Sequence, residues 1–540
     1  MTGGTPVAMG GATPTTGGSS TGGASLGTGG DPGTGGAGAG TGGAEAGAGG
    51  TGSGTGGTGG GDPGGLVTGP TPVDPDTVRP ELPIYYVSPD GDDTNSGTSP
   101  DAAWQTFDNI PTDSPSKVYF ERGGEYPAAG EPSQGRDGPA AIDVPAGSVW
   151  AAHGEGARPL FRAVWATAGA PTGAVLSLQG DAIVEGLAFT GQAVFGVLVL
   201  TDGNVIQNCE IDGTLEDREI STGFSVRGNG NLIVGNHVRS LMPRLFDSGP
   251  PTSYGAEGIV VNGTNQEIAY NILEELWAPN ETLGGVEGGC LEILARHPEE
   301  VVENVYFHHN YCERSAGFFQ ASASNYDFED TREIQEHHAI VRNTVLAYNV
   351  AVDALWLYLL QPVNTDFDGV VFEHNTVIYG PDDTDVPAMN ALTFGNFYDT
   401  DRIMNSSCST EADCGNGGEN RRCFSDTCYY QYLAQPGTVT VRNNLFAMLP
   451  GAPVGTMKLP PGDDDVANNI FSPEAPAGVD ASLVTVVSDP GLVEGTYRIG
   501  PGSPVIDMAG EDSVEPWNDF DGKAVFCGDG PDIGAFEYCP

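Results

Sequence analysis

The stretches NVIQNCEI (204–211), NLIVGNHV (231–238), EIAYNIL (267–273), VYFHHNYC (305–312), AIVRNTVL (339–346), VVFEHNTVI (370–378), VTVRNNLF (439–446) and VANNIF (466–471) repeat one pattern. Each sets an asparagine between two short alternating apolar runs: Asn208, Asn236, Asn271, Asn310, Asn343, Asn375, Asn444 and Asn469. Alternation with a period of two belongs to a strand, not a helix. Successive asparagines are 28, 35, 39, 33, 32, 69 and 25 residues apart. A unit that recurs at variable length marks a solenoid, whose coils share a core and differ in their loops. Asparagine suits a stacked turn: its amide bonds to its own backbone, tolerates the left-handed conformation and bonds to the amides above and below. The expected fold class is all-β, a parallel β-helix. The long gap before Asn444 places an insertion in one coil.

Outward from the repeat, the ends read differently. Residues 1–83 form a low-complexity linker rich in Gly, Thr and Pro, with 30 glycines in the first 66 positions. Such a segment has little to bury and is expected to stay flexible, a tether between an anchor and a displayed domain. The β-helix is expected over 84–540, opening with an N-terminal cap (84–112) and closing with a C-terminal cap (about 500–540). Asp90, Asp92 and Asp93 in the first turn read as a solvated turn, because their spacing matches no EF-hand loop.

The nine cysteines are unevenly spread. Cys408, Cys414, Cys423 and Cys428 crowd a Cys-rich loop insertion (about 402–432), which reads as disulfide-stapled and so as made in an oxidising compartment. Cys527 and Cys539 are expected to pin the C-terminal cap. The odd total leaves a thiol over among Cys209, Cys290 and Cys312, most simply a buried one. The chain opens on MTGG without an apolar leader, so an export signal is expected upstream of this numbering. An extracellular or cell-surface protein, monomeric and without a membrane-spanning segment, is the expectation.

The net charge of −51 argues against nucleic acid or an anionic membrane as partner. An anionic substrate would need bound cations or a local basic cluster.

A second strand column follows each Asn turn, in triplets such as VLV at 197–199, FSV at 224–226, IVV at 259–261 and LEI at 291–293. Further triplets are FFQ at 318–320, LWL at 355–357, LTF at 392–394 and MKL at 457–459. The middle residue of each points outward. The outward row is then Leu198, Ser225, Val260, Glu292, Phe319, Trp356, Thr393 and Lys458. A glutamate beside Phe and Trp on an outer row points to a groove for something flat and polar-faced, such as sugar rings. The longest loops lie on these same coils, and variable loops on a rigid repeat are where binding resides.

Taken together, YYVSPDGDDTNSGTSPDAAWQTF at the start and GSPVIDMA, DFDG and GPDIGAFEY at the end resemble the right-handed parallel β-helix proteins of the pectate-lyase-like superfamily, in their secreted bacterial branch. The Gly/Thr linker and four-cysteine loop resemble those of myxobacterial surface proteins. The resemblance implies a right-handed coil and a polysaccharide substrate or ligand. The reaction is left open, because that superfamily holds lyases, hydrolases, epimerases and adhesins. Asn364, Thr365 and Asp366 match the galacturonan hydrolase triplet by letter, without the Gly-His-Gly and Arg-Ile-Lys segments that accompany it.

Cleavage of a uronic acid polymer by elimination requires neutralising the carboxylate, removing the C5 proton and protonating the leaving oxygen. The residues nominated for acid–base work are Lys458, Arg239 and His237. Those nominated to bind substrate are Arg227, Arg244, Phe319 and Trp356. Glu257, Glu287, Glu292 and Asp353 form the carboxylate set, read as ligands for Ca²⁺ or as the acid–base pair of a hydrolase. The leading expectation is a polysaccharide lyase; a non-catalytic carbohydrate-binding or adhesive protein and a glycoside hydrolase are the alternatives.

Overall fold

The computed structural model describes residues 72–540 outside 131–138, 166–171, 214–219, 242–254, 281–284, 296–299, 324–338, 361–364, 381–392, 395–400, 408–420, 432–438, 453–455, 458–465 and 511–517, and outside 355, 425–426, 477–478 and 494. The first 71 residues, which carry most of the expected linker, lie outside that set, as do Cys408 and Cys414. The described chain is almost wholly strand, with one short 3₁₀ turn at Pro100–Ala102.

Three long parallel sheets form the body. Within a coil the chain passes through a first sheet of 12 strands, a second of 12 and a third of 10 before returning to the first. One coil shows the order: Val205–Gln207, then Glu210–Asp212, then Thr222–Val226, then Leu232–Val234 to begin the next. Every strand in these sheets pairs in parallel with its counterpart one coil away. This is a parallel β-helix. Its interior is one continuous apolar column running from Val87 and Trp104 to Phe471.

The asparagine ladder sits at the turn between the first and second sheets. The backbone N–H of Asn236 donates to Oδ1 of Asn271 (2.9 Å), Asn271 to Asn310 (2.9 Å) and Asn310 to Asn349 (2.8 Å). The series continues through Asn375 and Asn444 to Asn469. Each Nδ2 also reaches a first-sheet carbonyl, as Asn310 does to Ile268 O at 2.9 Å. The side-chain amides of all seven ladder asparagines are thus satisfied inside a core where water could not serve them.

Two of the eight nominated asparagines stand elsewhere. At the start of the ladder Cys209 takes the rung and donates its N–H to Asn236 Oδ1 (2.9 Å), while Asn208 holds the preceding left-handed position (φ 52°). Asn349, not Asn343, is the fifth-coil rung. Asn343 belongs to a separate exposed column, donating from Nδ2 to Asn304, which donates in turn to Asn265.

The position before the rung is left-handed in every coil from Asn208 to Asn468. Its side chains point away from the core and stack: Tyr270 on His309 (centroids 4.8 Å), His309 on Tyr348 (5.5 Å) and Tyr348 on His374 (4.9 Å). The C-terminal segment lies over this column. His309 Nε2 is 2.7 Å from Asn518 O, Gly534 N donates to Asn443 O at 3.0 Å, and Ala535 N donates to Thr376 Oγ1 at 2.8 Å. Ile499, Val505, Ile533, Ala535 and Phe536 then cover the outer residues Val350, Val352, Ile378, Leu445, Ala447 and Ile470 of the second sheet. The terminal segment therefore packs sideways against the coils, and Cys527–Cys539 closes its last loop.

Burial holds both imidazoles neutral. Desolvation, followed by the neighbouring His308, depresses His309 to about 3, and desolvation depresses His374 to about 4. In the same segment burial raises Glu537 to about 8, although its carboxylate accepts the amides of Cys527 and Asp532.

At the other end, Ile84–Val87 begins the first sheet and Trp104 stacks on Tyr85 (4.7 Å). Asp92 accepts from Thr94, and Asp93 accepts from the amides of Gln105 and Thr106 at 2.9 Å each, so these turn carboxylates serve the local backbone. Residues ahead of this strand lie along the first sheet. Val73 exchanges a pair of hydrogen bonds with the Gln207 side chain, and the buried Lys117 ammonium donates to Pro75 O (2.8 Å) and Asp76 O (3.1 Å).

Of the coil cysteines, Cys209 is free and buried. Cys290 and Cys312 form a disulfide with a Cα separation of 6.2 Å, joining the third sheet of one coil to the second sheet of the next. A three-stranded antiparallel sheet (Asp401–Ser407, Arg421–Phe424 and Thr427–Gln431) fills the long gap before Asn444, with Cys423 opposite Cys428.

Candidate functional site

The outer face of the third sheet carries the carboxylates. Register fixes its rows: Leu198 lies opposite Ser225, Ser225 opposite Val260, Val260 opposite Glu292, and Glu292 opposite Gln320. The residues flanking this row, such as Phe224, Val226, Leu291 and Ile293, point inward and are core. Phe319, expected on the outer row, pairs with Leu291 and lies in the core; Gln320 takes its place. Trp356 pairs at the backbone with Gly317 and Thr393, three positions from the row, and its side chain is outside the described set.

Glu292 is 1% exposed and accepts a hydrogen bond from Gln320 Nε2 at 3.2 Å. Glu257 is 2% exposed and lies opposite Thr222 on one side and Gly289 on the other. A Cβ at Gly289 would stand 3.2 Å from Glu257 Oε2. The carboxylate therefore leans over the strand that carries Glu292, and the missing side chain at Gly289 leaves it room. Along that strand Glu292 is three residues beyond Gly289, about 10 Å.

The described strands of the third sheet contain no Lys or Arg. The cation comes from Arg227, one residue past Thr222–Val226, whose guanidinium lies over the Phe195 ring at 5.4 Å. Such stacking fixes the plane of the guanidinium on this face. Phe195 belongs to an apolar patch with Ala174, Val194 and Leu198 on the earlier coils. The apolar patch interrupts a row that is polar on both sides, with Asp143 and Ser177 before Leu198 and Ser225 after it.

The other nominated residues stand apart from this face. His237 and Arg239 are on the second sheet. His237 Nε2 lies 2.8 Å from Glu274 Oε2, and Arg239 Nη2 reaches Glu210 Oε1 (3.1 Å) and Asp212 Oδ2 (2.7 Å). Arg158 adds a second cation to Glu210 at 3.2 Å, so that sheet's outer face is an ion-pair network. Asp353 sits at a left-handed corner (φ 52°) after the second sheet, where its Oδ1 accepts Gly380 N at 2.6 Å. Glu287 ends the short hairpin strand Gly285–Glu287, opposite Ala278. Its side chain, and Arg244 and Lys458 entirely, fall outside the described residues.

For calcium, three or more converging ligands are the minimum. Among the described residues no three His, Cys, Asp or Glu side chains converge in that way. The described side chains of this face that could bind or react are Glu257, Glu292, Gln320 and Arg227.

No family model matches the chain, and no curated protein does. Among solved structures it is similar to pectate lyase Pel9A, with 16% identity, a TM-score of 0.45, and 84% of this chain and 96% of that one covered. It is also similar to a rhamnogalacturonan lyase (13%, TM-score 0.38, 72% and 87% covered). A third is the GH136 lacto-N-biosidase from Eubacterium ramulus (13%, TM-score 0.37, 75% and 67% covered). The fold assignment itself rests on the three parallel sheets.

Proposed function

We propose that this protein is an extracellular polysaccharide lyase that binds an acidic, uronate-containing polymer along the outer face of the third sheet. The observation that carries the reading is the placement of Arg227 on the same face as two buried carboxylates, Glu257 and Glu292, in a chain of net charge −51. A guanidinium there answers the substrate carboxylate and withdraws charge from it, which acidifies the neighbouring C5–H bond. One carboxylate takes the C5 proton as the C4–O bond breaks and the C4–C5 double bond forms. The other, protonated, gives its proton to the leaving oxygen. Gln320 fixes the orientation of Glu292. The Cys290–Cys312 and Cys527–Cys539 disulfides support an oxidising compartment, and no described helix is long and apolar enough to cross a membrane.

Two carboxylates on neighbouring strands also suit glycoside hydrolysis, in which their separation sets the stereochemical outcome. Incubation with pectate, alginate and glycosaminoglycans, with calcium and then with chelator, separates the readings. Ultraviolet absorbance from an unsaturated uronate end supports the lyase. New reducing ends without that absorbance favour hydrolysis. Retardation of the protein by a polymer it leaves intact would overturn both in favour of binding alone.

A further inference from the structure

Two hydroxyls on this face are buried and unanswered. Thr222 Oγ1 and Ser225 Oγ have no hydrogen-bond partner, and both residues are 0% exposed. A third unanswered atom, Asn262 Oδ1, lies on the next coil, where its amide nitrogen donates to Leu294 O. Asn262 N donates to Val226 O at 2.8 Å, which sets the residue beside Arg227. Thr222 and Ser225 are three residues apart on one strand, about 10 Å, and Asn262, on the next strand, aligns with Arg227, two positions past Ser225 and five past Thr222. A buried polar group left unpaired destabilises a fold by roughly 1–3 kcal/mol. Three such groups on neighbouring strands of one face, between the apolar patch and Glu292, are what a protein keeps when a ligand completes them.

We propose that Thr222, Ser225 and Asn262 form a recognition strip for the ring hydroxyls of successive sugar units, Asn262 at the unit whose carboxylate Arg227 holds and Ser225 and Thr222 at the units beyond it. The chemistry selects hydroxyls. Asn262 Oδ1 accepts only, while the Thr and Ser hydroxyls either donate or accept. Glu257, opposite Thr222, and Glu292, opposite Val260, add further acceptors. The strip therefore reads an unmodified polyol face, and a polymer whose hydroxyls are esterified or sulfated on that face is excluded. The inference rests on the proposed binding face and goes beyond it to specificity.

The test is the pair of near-isosteric variants Thr222→Val and Ser225→Ala, alone and combined. Thermal melting is measured without polymer, and affinity electrophoresis is run in gels containing polygalacturonate or alginate. Removing unanswered hydroxyls is expected to raise the melting temperature by about 1 °C or more in the free protein. The double variant is expected to need roughly tenfold more polymer for the same retardation. A lower melting temperature would overturn the subsite, since it would show the hydroxyls already satisfied within the fold. Equal retardation of wild type and variants would overturn it while leaving the binding face intact. A wild type retarded by neither polymer would overturn the substrate class and the subsite with it.

Discussion

The outer faces of the second and third sheets are built from the same coils and solve opposite problems. On the second sheet, from Val350 and Val352 to Ile470, the outward residues are apolar, and the chain's own C-terminal segment covers them with Val505, Ile533 and Phe536. On the third sheet the outward residues in the middle coils include Val260 and the polar Thr222, Ser225, Glu257, Glu292 and Gln320, of which the first four polar ones are fully or almost fully buried. An apolar outer face needs only a cover, and burial of that cover contributes about 25 cal/mol per Å². A buried polar face gains nothing from a cover unless each group is answered. The first kind of face explains itself by stability; on the second, Thr222 Oγ1 and Ser225 Oγ stay unanswered, and it is there that we propose a ligand.

That contrast can be broken, beginning with chemistry. Glu292→Gln is expected to lower turnover of a cleaved polymer by a factor of about 100 to 10,000, the usual worth of an acid–base group. The far-ultraviolet spectrum should stay that of a β-helix; unchanged turnover would remove Glu292 from the reaction. On the covered face, Ile378→Asp buries a charge beneath the terminal segment and should lower stability in urea by about 3–5 kcal/mol. A small effect there would show the cover to be loosely seated.

The ladder comes next. Asn310→Ala leaves the Asn271 amide without its acceptor at 2.9 Å and should lower stability by about 2–3 kcal/mol. The same substitution at the exposed Asn343 should fall within about 0.5 kcal/mol, which separates the inner ladder from the outer one.

The smallest expected effect is graded with pH. His309 and His374 have folded values near 3 and 4, below the unfolded value near 6.5. Their contribution is therefore intact above about pH 6.5 and is lost progressively as pH falls toward 4. Glu537 works in the other direction. Its folded value is raised to about 8, so its contribution is intact below about 4.5 and is lost as pH rises through 8. Protease resistance of the terminal segment should peak between these limbs, near pH 6. A flat profile would show that the segment does not depend on the buried rings and carboxylate.

Much of the architecture was legible in one dimension, and the misreadings are instructive. Asn236, Asn271, Asn310, Asn375, Asn444 and Asn469 were recognisable as rungs because the same turn recurs between alternating runs. Asn343 has the same flanks, yet it lies inside the nine-residue strand Ala339–Ala347, and the rung six residues later is Asn349. Cys209 takes a rung through its backbone alone, which no side-chain pattern reveals. In the third-sheet row, FSV, IVV and LEI were in phase, but FFQ was read one residue early. Two consecutive Phe residues both enter the core there, so alternation lost its signal. Ser225 and Glu292 were visible on the outer row; Thr222, Asn262 and Gln320 were not.

The sequence by itself determined the period of the coil, its strand character and the place of the long insertion. Those depend on short-range patterning and on a turn that each repeat must make for itself. Only the tertiary structure decided which residues meet. Cys290 and Cys312 are bonded because coiling brings a third-sheet and a second-sheet position together across the core. Arg227 and Glu257 share a face with Glu292, while Arg239 and His237 belong to another sheet, because one coil of variable length separates each residue from its neighbour in space. Register in a solenoid is set by inter-strand hydrogen bonds between coils, and loop lengths hide that register from a linear reading.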